Sequence, residues 1–275
     1  MKECTDDINV SIKTIYTYID IGAFKSVGVN ISNIDLRRKV GRRRISKSAS
    51  KNYKLKERKD RKFLVGRTYD DFKKYKEEHP NVKIVEMDTV YNDVSNGPFV
   101  QTFKFMKYHF LLCVYHESKD SNDMKQGILW LEKLLGPELF SSEVQVILTD
   151  RGSEFSDVSV EKRDDGSVRT RIFYCDPMQS GQKGSLENNH EELRYILPKG
   201  KDLKSLGFVS QEKANLCTRH INSFKKKLLS EKSPFDWLYF LNATLYEKLA
   251  LAGIKVVPPT KINLKPSVLK EIVDY

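Results

Sequence analysis

The protein is a chain of 275 residues in which 39% of the residues are hydrophobic and 31% are charged, with a formal net charge of +11. This composition excludes a fibrous or wholly disordered chain, and the length is sufficient for a full hydrophobic core in one catalytic-sized domain with a smaller appendage. No apolar run reaches the roughly 18 residues of a membrane-spanning helix, and the N-terminal sequence MKECTDDINV lacks the basic-then-apolar order of a secretory signal. We therefore expect a cytoplasmic protein that has no membrane partner.

The first predicted element is an amphipathic helix in the sequence SIKTIYTYI, which begins at Ser11. Its apolar residues recur at helical spacing, Ser11 can cap its N-terminus, and Gly22 can end it. The residues that would then face outward are Lys13, Thr14 and Thr17. One interpretation is the second helix of a helix-turn-helix, whose exposed polar side chains enter the major groove of DNA; the other is an ordinary amphipathic surface helix.

A dense basic segment follows this helix. Between Arg37 and Lys62 there are 14 Lys and Arg residues and two acidic residues, a local net charge of +12. A segment with so much charge of one sign and few apolar residues does not pack by itself, and we expect it to become ordered on a polyanion, of which nucleic acid is the favoured one. We predict that residues 37–68 form a basic linker that binds DNA, and the alternative is a solvated spacer. The candidate DNA-binding residues here are Arg37, Arg38, Arg42, Arg43 and Arg44.

The rest of the chain alternates strand and helix patterns after a short charged helix at residues 69–78. Three β-rich stretches come first, then an amphipathic helix that ends at Gly136, then two shorter apolar stretches, and then a helix that begins near Ser185. The corresponding ranges are 84–91, 99–106, 108–115, 122–135, 144–148, 170–175 and 185–197. The order three strands, helix, strand, strand, helix predicts an α/β fold with a mixed sheet and helices on its faces.

Three acidic residues lie where such a fold places functional groups. Asp150 directly follows an apolar strand, and Asp88 interrupts another. Burying a carboxylate at such a position costs free energy unless it is paired, binds a metal ion or lies at the open edge of the sheet. Glu187 falls in the first turn of the last helix. Structural alternatives exist, because Asp150 can cap the following turn and Glu187 can interact with its helix dipole. Glu86 shares a strand face with Asp88, and Glu191 shares a helical face with Glu187, so both are rival ligands.

Three motifs around these acids resemble those of a known family. They are EMDTV, LTDRGSEF and GSLENNHEELRYILPKG, which contain Asp88, Asp150 and Glu187 in turn, with 36 residues between the last two. In this order they resemble the acidic motifs of the DDE transposases, specifically those of the insertion sequence thirty (IS-thirty) family. The likeness extends to SIKTIYTYI and IDLRRKVGRRR before the core and to HINSFKKKLLSEKSPFDWL after it. The order of elements is similar to the ribonuclease-H-like core that these enzymes share with retroviral integrases.

The resemblance implies that Asp88, Asp150 and Glu187 are a catalytic and metal-binding triad for Mg²⁺ or Mn²⁺, with two ions expected. Hard carboxylate oxygens suit such ions, and two ions can activate the attacking oxygen and stabilise the leaving oxygen in a displacement at phosphorus. Water would attack first and free a 3′-hydroxyl at the element end, and that hydroxyl would then attack target DNA. The expected partner is therefore double-stranded DNA, on which we expect the protein to be a homo-oligomer.

The resemblance also divides the chain and adds candidate DNA-binding residues. Residues 1–36 would be a small, partial helix-turn-helix region that binds DNA. Residues 69–230 would be an integrase-like catalytic core, and residues 231–275 a helical C-terminal extension. Asn188, Arg194 and Lys199 match polar and basic positions of the family motif and would hold DNA phosphates near the metals. Alternatively, these three residues belong to an exposed helix surface with no such role.

The resemblance leaves more than one function open. Only ten residues precede Ser11, whereas more helical DNA-binding sequence precedes the corresponding helix in the family, so we expect a truncated or internally started transposase. The sequence is compatible with an active, metal-dependent transposase and with a catalytically inactive DNA-binding remnant or regulator of the same family. Another ribonuclease-H-like nuclease is the weaker alternative, since the flanking segments also resemble the transposases.

Deleting residues 37–62 is expected to weaken binding to duplex DNA and to flatten its salt dependence. Each phosphate that a lysine or arginine neutralises contributes about 0.9 to the slope of log affinity against log salt concentration. Fluorescence anisotropy at several salt concentrations measures both quantities. Equal affinity and an equal slope in the deletion variant would mean that the segment is only a solvated spacer.

Overall fold

The computed structural model of the protein describes residues 10–29, 31, 62–93, 96–177 and 179–270. The chain divides into two units, residues 1–59 and 60–275. The boundary between them falls within the predicted linker, residues 37–68, and the remaining domain boundaries stay predictions. The basic residues for which we predict DNA binding, Arg37, Arg38, Arg42, Arg43 and Arg44, lie outside the described residues.

In the first unit, the helix expected from the sequence is present as α1 (Ile12–Asp20). The side chain of Ser11 caps it by accepting a hydrogen bond from the backbone N–H of Thr14 at 3.1 Å. Gly22 follows the helix with a φ of 72°, a left-handed conformation that glycine adopts without strain. Of the three residues predicted to face outward, Lys13 and Thr17 are exposed and Thr14 is half-buried. A role of α1 in DNA binding stays a prediction.

The second unit is built on a five-stranded sheet. Its strands are β1 (Ile84–Val90), β2 (Phe99–Phe105), β3 (Phe110–His116), β4 (Val146–Thr149) and β5 (Arg171–Tyr174). They lie in the order β3-β2-β1-β4-β5, and the first three form an antiparallel meander. Strands β4 and β5 run parallel to β1. The predicted sheet of mixed direction is therefore confirmed, with β1 as the strand where the antiparallel and parallel halves meet.

Seven helices of the second unit occupy the described residues before, between and after these strands. They are α2 (Tyr69–Glu78), α3 (Ser121–Leu135), α4 (Pro137–Glu143), α5 (Gly184–Ile196), α6 (Gln211–Ser223), α7 (Pro234–Leu241) and α8 (Ala243–Leu251). The sequence predicts a stop at Gly136, and α3 does end there, but the unpredicted helix α4 begins at Pro137. Proline suits the first position of a helix, since its missing N–H needs no partner there.

Helices cover both faces of the sheet. On one face, α3, α7 and α8 pack in a large apolar cluster that includes Val85 and Met87 of β1. On the other face, α5 and α6 pack over side chains such as Val100 and Leu111, and α2 covers β4 and β5. Because successive strand residues point to opposite faces, Asp88 lies on the face opposite Met87, which is the face that α5 covers. The α/β fold class predicted from the sequence, with helices on both faces, is confirmed.

Helices α7 and α8, which follow residue 230, pack on the sheet. Phe235 and Leu238 of α7 and Leu245 and Leu249 of α8 are buried in the same apolar cluster as Val85. Across the described ranges, no helix combines the length and the apolar character that crossing a membrane requires.

Candidate active site

Asp88 and Asp150 lie side by side at neighbouring parallel strands. The register of β1 and β4 pairs Glu86 with Leu148, and continuing it by two residues places Asp88 beside Asp150. Neighbouring strands are about 4.8 Å apart, and paired residues of parallel strands point to the same face. The side chain of Asp88 is 25% exposed, and that of Asp150 is mostly buried. The strand register thus brings together two of the three acids that the sequence singles out.

The surroundings of Asp150 disfavour its negative charge. Burial raises the pKa of this carboxyl group, and the nearby carboxylates of Asp88 and Glu154 raise it further, against the opposing effect of Lys183. The backbone N–H of Gly152 donates a hydrogen bond to Asp150 Oδ1 at 2.8 Å, so the turn-capping role foreseen from the sequence is also present. A positive charge placed between Asp88 and Asp150 would relieve this repulsion.

Glu154 is a carboxylate at this site that the sequence reasoning overlooks. A Cβ at Gly152 would lie 2.6 Å from Glu154 Oε2 and 2.9 Å from Asp150 Oδ1, so both carboxylates lie against the glycine backbone. Any side chain at Gly152 would displace at least one of them. Glu154 also forms an ion pair with Lys119 at 3.5 Å. The sequence feature that could have indicated Glu154 is its position in the motif LTDRGSEF, four residues after the predicted metal ligand Asp150.

Lys183 supplies a positive charge beside the two aspartates. This residue directly precedes α5 and is 8% exposed. Its Nζ donates a hydrogen bond to Asp88 Oδ2 at 3.1 Å and lies 3.4 Å from the carbonyl oxygen of Met87. Burial lowers the pKa of Lys183, but attraction to Asp88 and to Asp150 outweighs this effect and leaves the pKa raised. The sequence reasoning gives Lys183 no role, because a lysine before a helix carries no distinguishing pattern.

Glu187 is exposed in the first turn of α5. Residues four positions before and three positions after it share its side of the helix, and these are Lys183 and His190. Lys183 contacts Asp88, and His190 Nε2 lies 3.0 Å from Oγ1 of Thr102, the residue that pairs with Asp88 across β1 and β2. In the described part of the chain, no three His, Cys, Asp or Glu side chains converge closely enough to hold a metal ion. Glu187 thus shares the side of α5 from which His190 reaches Thr102 of β2, without joining the aspartates in a closed cluster.

The two rival ligands have different positions. Glu86 is 4% exposed, and its Oε2 accepts a hydrogen bond from the backbone N–H of Leu186 at 3.0 Å. Burial raises the pKa of Glu86. Glu191 is exposed and lies one turn beyond Glu187, further from Lys183. Glu86 is therefore engaged in holding the N-terminus of α5, and Glu191 is more remote from Asp88 along the helix.

A buried polar network fixes α5 over the sheet. Lys104 is 2% exposed in β2 and donates hydrogen bonds to Oδ1 of Asn189 and to the carbonyl oxygen of His109. Asn189 Nδ2 donates in turn to Glu192 Oε2, which also accepts from Lys226 Nζ at 2.8 Å. Burial, reinforced by the positive charge of Lys226, lowers the pKa of Lys104 to about 7. Together with Glu86 at the helix start, this network sets the position of the helix that carries Glu187.

The three other residues of the last motif differ in their surroundings. Asn188 and Lys199 are exposed. Arg194 is partly buried and donates from Nη2 to the carbonyl oxygen of Tyr91 at 2.9 Å and from Nη1 to Oδ1 of Asn92. Arg194 and Lys199 line an open pocket of about 410 Å³ beside the end of β1. The guanidinium of Arg194 is thus committed to tying α5 to the loop after β1, and the other two side chains face solvent.

Comparison of the sequence with known proteins finds transposases. No protein-family model matches the chain. The transposase of insertion sequence element IS1086 from Cupriavidus metallidurans is 37% identical over 68 residues, 25% of this chain and 19% of that protein. The transposase of insertion sequence element IS4351 from Bacteroides fragilis is 24% identical over 128 residues, 41% of this chain and 37% of that protein. The matching part spans less than two fifths of either relative, and over that part the chain is similar to transposases of insertion sequences.

Solved structures with a similar course of the chain include two integrase catalytic core domains. The HTLV-2 integrase core, in a complex with magnesium, is 15% identical and covers 56% of this chain and 93% of its own, with a TM-score of 0.40. The BIV integrase core is 14% identical and covers 59% of this chain and 97% of its own, with a TM-score of 0.44.

Replacing Arg194 is expected to affect stability, whereas replacing Lys199 is expected to affect DNA binding. Arg194→Met keeps the aliphatic stem but leaves Tyr91 and Asn92 without their donor, which should lower the free energy of unfolding by roughly 1–3 kcal/mol. Lys199→Ala should change it by less than about 0.5 kcal/mol, as is usual for exposed positions, while weakening duplex DNA binding. Urea denaturation and anisotropy measure the two effects. If Arg194→Met kept the wild-type stability but lost DNA binding, the phosphate-binding role of Arg194 would be favoured instead.

Proposed function

We propose that this protein is a DDE-type transposase of the IS-thirty family that cuts DNA at the ends of its insertion sequence and joins those ends to target DNA. Asp88, Asp150 and Glu187 are the proposed catalytic, metal-binding residues. The observation that carries this proposal is the closeness of Asp88 in β1 to Asp150, which directly follows the parallel strand β4, on the sheet face that α5 covers. The similarity to insertion-sequence transposases over part of the chain supports the same reaction class.

The residues at this edge of the sheet fit a divalent cation. Carboxylate oxygens are the ligands that Mg²⁺ and Mn²⁺ prefer, and the pKa of Asp150 is raised by burial and by Asp88, a repulsion that a cation would remove. The site already holds one positive charge, because the ammonium of Lys183 lies 3.1 Å from Asp88 Oδ2. When bound, two such ions would supply activation of the attacking oxygen and stabilisation of the leaving oxygen at phosphorus.

Glu187 is the preferred third ligand because of its position on α5. It lies on the same side of the helix as Lys183 and His190, both of which are directed at β1 and β2. Its carboxylate is exposed, and joining Asp88 would require a change of side-chain rotamer. Glu191 is one turn further along, and the Oε2 of Glu86 already accepts the Leu186 N–H. The hydrogen bonds that Glu86 accepts from the Leu186 N–H and that Asn189 accepts from Lys104 would hold the helix while the Glu187 side chain moves.

The proposed substrate is duplex DNA at the element ends and at the target, bound by more than one copy of the protein. Phosphates would be held by the basic segment between residues 37 and 62, whose local charge is +12. Close to the metal ligands, Asn188 and Lys199 are exposed on and beside α5 and would position the backbone of the cleaved strand. Water is the proposed first nucleophile, and the 3′-hydroxyl that it frees is the second. No side chain is required as a nucleophile.

One observation favours a second candidate function. The ion pair between Lys183 and Asp88 neutralises a proposed metal ligand within the protein itself. A chain in which that pair persists would keep the fold and bind element ends without cutting them. This is the inactive DNA-binding regulator that the sequence also allows.

A nicking assay separates the two functions. The wild-type protein with Mg²⁺ or Mn²⁺ is expected to nick a duplex that carries the terminal inverted repeat found beside its gene, leaving a 3′-hydroxyl at the junction. Asp88→Asn, Asp150→Asn and Glu187→Gln should each reduce cutting by at least about a hundredfold, the scale of losing one group that stabilises a transition state. DNA binding by these variants should change little, because the basic residues govern affinity.

The rival acid provides the matched control for this assay. Glu191→Gln removes the same charge one helical turn away and should cut at the wild-type rate. Cutting that all variants share equally would point to a contaminating nuclease and remove the support for the triad. Tight binding of the repeat without any cutting by the wild type, in either metal, would show that the protein is a regulator.

A further inference from the structure

Lys183 is a buried cation whose ion-pair partners are the proposed metal ligands. Its side chain is 10% exposed, its Nζ is 3.1 Å from Asp88 Oδ2, and it is also attracted to Asp150. A divalent ion bound by these two carboxylates would lie within a few ångströms of the ammonium. Like charges at such a separation repel strongly in a partly buried site, so Lys183 and the ion compete for the same oxygens.

The backbone on either side of Lys183 is not crowded. Gly181 and Gly184 flank it, and a Cβ added at either would meet nothing within 4 Å. The exposed side of the first turn of α5 lies next to it, where Glu187 and Asn188 face solvent. The lysine side chain has a flexible four-carbon stem, and solvent-exposed positions of α5 begin four residues after it. Backbone N–H groups at a helix N-terminus also favour an anion there.

We propose that Lys183 is a DNA-phosphate-binding residue that rests on Asp88 and is released when a divalent ion binds between Asp88 and Asp150. This inference rests on the proposed metal-dependent transposase function and adds a residue to it. Released Lys183 binds a phosphate of the strand held at the metal site. Metal binding and DNA binding then strengthen each other, since coupling between two ligands is reciprocal.

The first test measures Mn²⁺ binding to the full chain by isothermal titration calorimetry without DNA. Lys183→Gln removes the competing charge while keeping an amide that can donate to Asp88, so it should bind Mn²⁺ at least about tenfold more tightly than the wild type. Lys183→Arg retains the charge and should not show this gain. Lys125→Gln is the positional control, because Lys125 forms a similar ion pair with Asp157, at 3.4 Å, away from Asp88.

The second test measures the salt dependence of binding to a duplex that lacks the terminal repeat. Adding Mn²⁺ should steepen the slope of log affinity against log salt by about 0.9 in the wild type, the contribution of one further phosphate contact. The slope of Lys183→Gln should not change on adding Mn²⁺, and that of Lys125→Gln should change as in the wild type.

The outcomes distinguish this inference from the proposed function. Mn²⁺ binding that is equal or weaker in Lys183→Gln would show that Lys183 does not compete with the ion. An unchanged slope in the wild type would show that Lys183 does not move to a DNA phosphate. In both cases the proposed metal site itself would stand. If neither the wild type nor Lys183→Gln bound Mn²⁺, or if Asp150→Asn bound it equally well, the proposed metal site would fail and this inference with it.

Discussion

The parallel register of β1 and β4 is the constraint on which the rest of the site depends. It holds Asp88 beside Asp150 on the face of the sheet that α5 covers. Two carboxylates in that position repel each other and are partly removed from water, and both effects raise the pKa of Asp150. A positive charge therefore stabilises this edge of the sheet, and Lys183 supplies one at 3.1 Å from Asp88. The same local instability makes the edge a candidate for binding divalent ions.

Buried polar contacts give the neighbouring helix a single position relative to this edge. Glu86 accepts from the start of α5, and Lys104 of β2 donates to Asn189 one turn later. Shifting the helix would leave these buried groups unsatisfied, which is costly in a site of low dielectric. A rigid helix thus carries the Glu187 side chain, which is exposed and retains freedom to rotate. A fixed backbone with a movable carboxylate suits a ligand that completes a metal site only when the ion and the DNA are present.

The sequence predicts those parts of the structure that local patterns determine. Apolar alternation and turn residues are enough to place the five strands and the helices α2, α3 and α5. The apolar context makes Asp88 and Asp150 stand out as costly carboxylates. The helix α4 is missed because Gly136 and Pro137 read equally well as a stop and as the start of a new helix. The roles of Lys183 and Arg194 are missed because their partners, Asp88 and Tyr91, lie roughly 100 residues earlier in the chain and meet them only in the folded sheet.

An anomalous difference map from a crystal grown or soaked with Mn²⁺ tests the central claim most directly. We expect manganese bound between the carboxylates of Asp88 and Asp150, with the Glu187 side chain turned to join them and Lys183 no longer in contact with Asp88. Saturating Mn²⁺ with no peak at this edge of the sheet, or a peak held by Glu191 or Glu86 in place of Glu187, would contradict the account.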